Sequence, residues 1–322
     1  MLCARKTQSC YGREVTELTD YVLSCCSTVD ISEEHLRRRN VVYFPFHYFL
    51  GDKEYPDDLG RSMDYKVFYQ KMAEGVVTRT SQISSGEFID NFEPFLKEGR
   101  DILHLSFSSG LSGSYNSACI ARDYLKEKYP DRKLIVVDSR AASSGFGLFV
   151  DAVADKRDEG LSLEEAAAWA EENRLRVHHW FFSTDLTYYV RGGRISKASG
   201  WFGTLLRICP LLNMDPPGRL IPRYKYRGKD AVSKAIVRKM EAHALNGRDY
   251  DGKCYISQAD CREDAEKVAA LVEETFPKLR GKVEINWIGT TIGSHTGPGT
   301  VALFFMGDRR DEDPESLSPK EK

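Results

Sequence analysis

What this chain of 322 residues lacks narrows its function as much as what it contains. No C-x-x-C pair occurs among its cysteines, Cys3, Cys10, Cys25, Cys26, Cys119, Cys209, Cys254 and Cys261. None of them clusters with the seven histidines at metal-ligand spacing. The pattern fits reduced, mostly buried thiols in a cytoplasmic protein, and points to no metal, no cofactor and no disulfide framework. No stretch is long and apolar enough to span a bilayer, so stable membrane insertion is not expected. The opening "MLCARKTQSCYGREV" lacks the continuous apolar core of a secretory signal. Positive charge is not in surplus either. Lys and Arg number 46 against 48 Asp and Glu, a net charge of −2, which argues against nucleic acid as the main partner. A solenoid-period repeat is missing, and so is the G-x-S-x-G nucleophile elbow: Ser112 has Gly110 before it but Ser114 after it.

The length implies two domains. The expected division is a poorly ordered leader over 1–15, an N-terminal α/β domain over 16–172 and a C-terminal α+β domain over 173–307. A disordered tail should follow over 308–322, where "GDRRDEDPESLSPKEK" has almost no apolar content. "VVYFPFHYFL" reads as one strand, with Pro45 marking an edge or bulge and a turn at Gly51-Asp52. "MDYKVFYQKMAEG" sets Tyr65, Phe68, Tyr69 and Met72 on one helical face and stops at Gly75. "GEFIDNFEPFLKEG" repeats the pattern with Phe88, Ile89, Phe92 and Leu96, so Pro94 must bend that helix or lie near its start. "DILHLSF" and "KLIVVDS" are strands, each followed by a helix, and this β-α-β-α order implies a parallel sheet flanked by helices. "SLEEAAAWAEENRLRV" starts with Ser162 and Glu165 in capping-box spacing. Beyond it come six strand candidates and two helices, near Asp230–Leu245 and Glu263–Phe276, with a turn at Pro216-Pro217-Gly218.

Five stretches could carry chemistry. "SFSSGLSGSYNSACIA" places small hydroxyls at a strand-to-helix turn, where free backbone N–H groups and the helix dipole favour an anion. Ser108 or Ser109 would add hydroxyl donors; the plainer alternative is that Ser112 or Ser114 caps the helix. Thr80, Ser81 and Gln82 form a second polar group ahead of a helix, which a capping loop would also explain. "YYVRGGRISKASGW" crowds Arg191, Arg194 and Lys197 around Gly192-Gly193, a site or a solvated basic turn. "PRYKYRGKDAVSKAIVRKM" sets Arg223, Lys225, Arg227, Lys229, Lys234, Arg238 and Lys239 against a single acid, Asp230. Tyr224 and Tyr226 interleave, as in nucleic-acid binders, but a short stretch in a slightly acidic chain reads better as a local docking patch for an acidic or phosphorylated partner. His295 stands among small residues and glycines in "GTTIGSHTGPGTVALFFMG", read as a loop before a buried strand.

In this order the stretches resemble the DegV family, whose characterised members are bacterial fatty-acid-binding proteins. The family's T-S-Q loop is matched by Thr80-Ser81-Gln82, and its S-S-G-L-S-G-[ST]-Y turn by Ser108 to Tyr115. V-D-S is Val137 to Ser139, G-G-R-I-S is Gly192 to Ser196, and K-x-R-G-x-x-x-A is Lys225 to Ala231. The closing I-G-x-x-I-G-x-H-x-G-P-G is Ile288 to Gly299. The resemblance covers roughly Tyr21 to Gly307. One departure is visible: the family opens with T-D-S-T-x-D, whereas Cys25-Cys26 here precede Ser27, Thr28 and Asp30. If that first Thr-Asp pair shapes the head-group pocket, ligand preference differs.

The resemblance implies a two-domain α/β protein that holds one long-chain fatty acid between its domains and has no turnover of its own. Thr80 and Ser109, with Ser81 and Ser108 beside them, would receive the carboxylate, and His295 would close that end. A separate fatty acid kinase subunit would phosphorylate the bound acyl group, with Arg194 and Arg227 handling the phosphorylated head or docking the kinase. The rival reading of the same residues is a serine-based hydrolase or phosphotransfer enzyme, with Ser108 or Ser109 as nucleophile and His295 as base.

Overall fold

A computed structural model describes residues 21–196 and 208–312. The expected leader lies outside the described residues, as do Lys197 of the basic turn and the tail from 313 onward. In chain order the first half carries β1 (Tyr21–Cys26), β2 (Val41–Phe44), β3 (His47–Leu50), β4 (Lys53–Pro56), β5 (Thr78–Ser81), β6 (Asp101–Ser106) and β7 (Leu134–Asp138). Its helices are α1 (Glu33–Arg38), α2 (Tyr65–Ala73), α3 (Ser85–Lys97), α4 (Ser114–Lys128), α5 (Ser143–Asp158) and α6 (Leu163–Asn173). The expected parallel sheet is present, in the order β2-β1-β6-β7 with every pair parallel.

The stretch read as one strand over 41–50 is two strands in two sheets. Pro45 has no N–H to give to a ladder, so pairing with β1 ends at Phe44, and Phe46 N donates to Ser27 Oγ instead (3.0 Å). The chain then turns into a second, antiparallel sheet of order β4-β3-β5, which the sequence reading did not foresee. This small sheet matters because β5 carries Thr80 and Ser81. Pro94 neither starts nor ends α3. It sits in the last turns, where only one carbonyl, four residues back, loses its helical partner. Ser162 and Glu165 form the expected capping box.

The second half contains β8 (Val177–Phe182), β9 (Ile208–Met214), β10 (Leu220–Arg227), β11 (Cys254–Gln258), β12 (Glu284–Trp287) and β13 (Val301–Met306). They form one sheet of order β10-β9-β8-β13-β11-β12, antiparallel except for β11 with β12. Its helices are α7 (Thr187–Arg191), α8 (Lys229–His243), α9 (Arg262–Thr275) and α10 (Thr290–Thr296). The central strands are apolar on both faces because both are covered. Trp180, Phe182, Leu303 and Phe305 pack with α8 and α9, while the alternate residues Phe181, Ala302 and Phe304 face the first half of the chain. No helix among the described residues is long and apolar enough to cross a membrane. The six cysteines described are all free thiols.

The two halves are joined at the turn between β9 and β10. Ser108 Oγ donates to Gly218 O (2.8 Å) and Arg140 Nη1 to Pro216 O (3.3 Å). Arg310 donates to the carbonyls of Met214, Asp215 and Arg140 at 2.9–3.1 Å. It is 2% exposed, so this residue, within the stretch expected as tail, is held in the fold, while Asp308 and Glu312 on either side are exposed. Each such carbonyl left without a donor costs about 1–3 kcal/mol. Arg310→Met should therefore lower unfolding stability by at least about 2 kcal/mol, read as a lower urea midpoint; an unchanged midpoint would show that the clamp is dispensable.

A second expectation concerns buried histidine. His104 lies among Phe44, Phe88 and Phe92, its Nδ1 3.0 Å from Ser24 Oγ, and burial pushes its pKa down to about 3. The folded ring stays neutral while the unfolded ring takes up a proton below about pH 6.5. Its contribution is therefore complete above that pH and fades as pH falls toward 3, by up to about 1.4 kcal/mol per pH unit. The buried Asp30 and Asp57 carboxyls, raised by burial, have the opposite dependence. Comparing variant with parent isolates the histidine. The stability deficit of His104→Gln should be largest at pH 7.5 and shrink by pH 4.5 in urea titrations; a pH-independent deficit would contradict it.

Candidate functional site

A cavity of about 480 Å³ lies between the small antiparallel sheet, the serine-rich turn and the inner face of the six-stranded sheet. That volume falls within the roughly 300–1,000 Å³ of small-molecule sites. Its walls are mainly apolar, with Phe46, Phe107, Phe181, Met214, Leu220 and Phe304 among them. Strand alternation supplies much of this surface, since Phe181 on β8 and Ala302 and Phe304 on β13 all point the same way.

The polar groups include Thr80 and Ser81 from β5, Ser112 from the serine-rich turn, Arg194 and His295. Thr80 Oγ1 is 2.7 Å from His295 Nε2, and Arg194 Nη1 is 3.4 Å from His295 Nδ1. A guanidinium only donates, so Nδ1 is the acceptor and the ring proton resides on Nε2. Nε2–H then donates to Thr80 Oγ1, which leaves the threonine's own proton to be donated elsewhere. Burial, reinforced by the charges of Arg194 and Arg191, holds the His295 pKa down at about 3, so the ring is neutral at physiological pH. Arg194 is fixed by donating to Gly192 O (2.6 Å) and Leu111 O (3.2 Å). Gly192 is required here by close approach: a Cβ would collide with His295 Nδ1.

The residues singled out in the sequence divide into two groups. Thr80, Ser81, Arg194 and His295 line the cavity together, and Gln82 does so beside them. Ser108 and Ser109 do not. Ser108 is spent on Gly218 O, and Ser109 Oγ donates to Asp138 Oδ2 (2.6 Å) while Ser109 N donates to Oδ1 (3.1 Å). These bonds tie the turn to the end of β7 and to the other half of the chain. Neither hydroxyl is hydrogen-bonded to His295, so the nucleophile–base pairing of the hydrolase reading is not formed. Ser112, one of the two serines offered as a cap, precedes the cap position: its Oγ accepts from Ser114 N (3.2 Å) and it lines the cavity. Ser114 does not cap; it is the first helical residue of α4, and the cap position is Gly113.

His295 sits on a short helix, α10, rather than on the expected loop. Arg227 is exposed at the end of edge strand β10, away from the cavity lining. The basic stretch around it is thinner than its charge count suggests. Arg223 is buried against Asn213 Oδ1 (2.7 Å), Lys229 pairs with Asp264 (2.5 Å), and Lys239 lies over the Trp180 and Tyr224 rings. Cys25 and Cys26, the departure noted in the sequence, are buried outside the cavity lining, and burial pushes the Cys26 thiol up to about 12. Thr291, Thr296 and His179 also line the cavity. Sequence reasoning missed them, and only the alternation along β8 could have pointed to His179.

Comparison with known proteins agrees with this architecture. The family model described as "Uncharacterised protein, DegV family" matches residues 26–308. A DegV domain-containing protein of Clostridium perfringens is 37% identical over 291 residues, covering 90% of this chain and 99% of that protein. A solved structure of fatty acid binding by a DegV family protein from Thermus thermophilus is 28% identical, with a TM-score of 0.78, over 89% of this chain and 99% of that one. The fatty acid kinase B3 protein of Streptococcus pneumoniae, solved loaded with linoleic acid, shares the fold at 22% identity and a TM-score of 0.75. It covers 89% of this chain and 99% of its own. The shared motifs, the match over most of the length and the common fold converge: this chain belongs to the DegV family.

Proposed function

We propose that this protein is a cytoplasmic carrier that holds one long-chain fatty acid in the cavity between its halves and presents the carboxyl end to a kinase subunit, with no turnover of its own. The observation that carries this reading is the asymmetry of the cavity, a few convergent donors against mostly apolar walls. The carboxylate accepts from Thr80, whose proton is released by the His295 bond, and from Ser81 and Ser112, with the Arg194 guanidinium supplying the positive charge. Ser108 and Ser109 act in this reading by fixing the turn that presents Ser112.

Magnitudes separate the two ends of the ligand. Burying a dozen methylenes is worth roughly 10 kcal/mol before the losses of association. Each charge-assisted hydrogen bond adds about 1.5–3 kcal/mol. The tail therefore provides most of the affinity and the head group sets the direction of entry. In the kinase step a carboxylate oxygen attacks the terminal phosphorus of a nucleoside triphosphate, the diphosphate leaves, and an acyl phosphate results. Arginine suits that product because its planar fork pairs with phosphate oxygens. In this reading Arg194 takes that role and the exposed Arg227 docks the kinase.

Solvent extraction and mass spectrometry of the purified protein should release about one fatty acid per chain. Delipidated Thr80→Val should bind a fatty acid about ten- to a hundredfold more weakly, in line with one lost charge-assisted bond. Arg227→Glu should keep fatty acid binding and lose acyl-phosphate formation with the kinase subunit. Protein that is free of lipid and takes up no added acyl chain would refute the carrier reading.

A further inference from the structure

Outside the cavity, the six-stranded sheet carries a second convergence of ligand-type side chains. His178 on β8, His243 at the C-terminal end of α8 and Asp308 just beyond β13 come together, although 65 residues separate each from the next. One ligand atom from each lies within 4.8 Å of the other two. His178 Nε2 is 2.9 Å from Asp308 Oδ1, and His243 Nδ1 is 3.2 Å from Asp308 Oδ2. Bonds of about 2.0–2.2 Å to a tetrahedral ion place neighbouring ligand atoms about 3.3–3.6 Å apart. The observed nitrogen–oxygen separations, one to each oxygen of the carboxylate, are somewhat shorter than that, so a bound ion would draw the groups apart by about half an ångström.

The arrangement is held before any ion arrives. The His178 ring is stacked between His243 (centroids 4.9 Å apart, 20° between planes) and Phe305 (5.1 Å, 8°), and His243 stacks in turn on Trp180 (6.1 Å, 16°). The backbone stitches the ligands together. Asp308 N donates to His243 O (3.0 Å), Gly307 N donates to Arg176 O (2.8 Å), and Ala244 bridges to Gly307. Gly307 admits no side chain, since a Cβ would meet His243 O and would stand 2.9 Å from His178 Nε2. Asp308 is 51% exposed, which leaves the outer side open to an entering ion and to a water ligand.

We propose that His178, His243 and Asp308 bind one divalent transition-metal ion of the zinc class. Two imidazoles and one carboxylate are the donor set of such an ion, whereas calcium and magnesium prefer oxygen ligands throughout. The site lies on the face of β8 opposite the cavity, because His179, the next residue, lines the cavity. A bound ion ties together β8, the end of α8 and the chain leaving β13. It needs no part of the fatty acid reading.

The test uses the full chain, stripped with a chelator and titrated with zinc chloride by calorimetry, and with cobalt chloride by visible spectroscopy. Zinc should bind at one equivalent with micromolar or tighter affinity. Cobalt should give intense visible bands of low-coordinate geometry without a thiolate charge-transfer band, which sets the site apart from the cysteines. Asp308→Asn, a change at a half-exposed position, should weaken zinc binding at least about tenfold, and His243→Gln should abolish the cobalt spectrum. Urea titrations confirm that both variants are folded. Zinc binding that is missing in the parent, unchanged in both variants, or accompanied by a thiolate band would overturn the assignment.

Discussion

The hydrogen bond between Thr80 and His295 is the contact on which the polar end of the cavity depends. It joins β5, in the first half of the chain, to α10 in the second, so the donor set exists only when both halves are in place. Its direction is decided elsewhere. Arg194 faces the far ring nitrogen and makes it the acceptor, which forces the proton onto Nε2. Burial keeps the ring neutral. A protonated His295 would still donate to Thr80 from Nε2, but its Nδ1–H would face Arg194 donor to donor with a second positive charge, and that contact would fail. The threonine proton points away from the ring because the guanidinium makes Nδ1 the acceptor and leaves the ring proton on Nε2.

The same demand for dryness shapes the walls. An antiparallel sheet open to water on one face alternates apolar and polar residues, and β8 and β13 do not. Their second apolar face is covered partly by α5 and the first half of the chain, and what remains uncovered by protein is the cavity surface. Stability and binding thus draw on the same side chains. Phe181 and Phe304 belong to the core cluster and also line the cavity.

That continuity explains what could be read from the sequence. Periodicity and turn residues located the parallel sheet, the capping box at Ser162 and the strands of the second half, because those features are local. The break at Pro45 was visible as a residue and not as an outcome, since leaving one sheet for another depends on partners distant in the chain. Among candidate site residues, Thr80, Ser81, Arg194 and His295 were found through motifs and prove to share one cavity. Ser108 and Ser109 sit in an equally distinctive motif, yet their hydroxyls hold the turn in place. A motif marks residues that a fold needs, and whether the need is a ligand or a joint is settled only by which carbonyl or carboxylate lies within reach. The apolar cavity walls had no signal at all, being chemically identical to core.

The adjacent histidines of β8 make the point sharply. In the sequence His178 and His179 are an undifferentiated pair, and no spacing rule connects either with another ligand. Strand geometry sends them to opposite faces. His179 Nε2 accepts from Ala142 N (3.2 Å) beside the cavity, on the side where the first half of the chain covers the sheet. His178 turns to the face covered by α8 and α9, where the end of α8 and the chain leaving β13 each bring one further ligand-type group. One residue's displacement along a strand therefore decides whether an imidazole belongs to the cavity or to the cluster of ligand-type groups on the opposite face. The separation of the two clusters by the thickness of a sheet follows from the same period of two that builds the apolar wall.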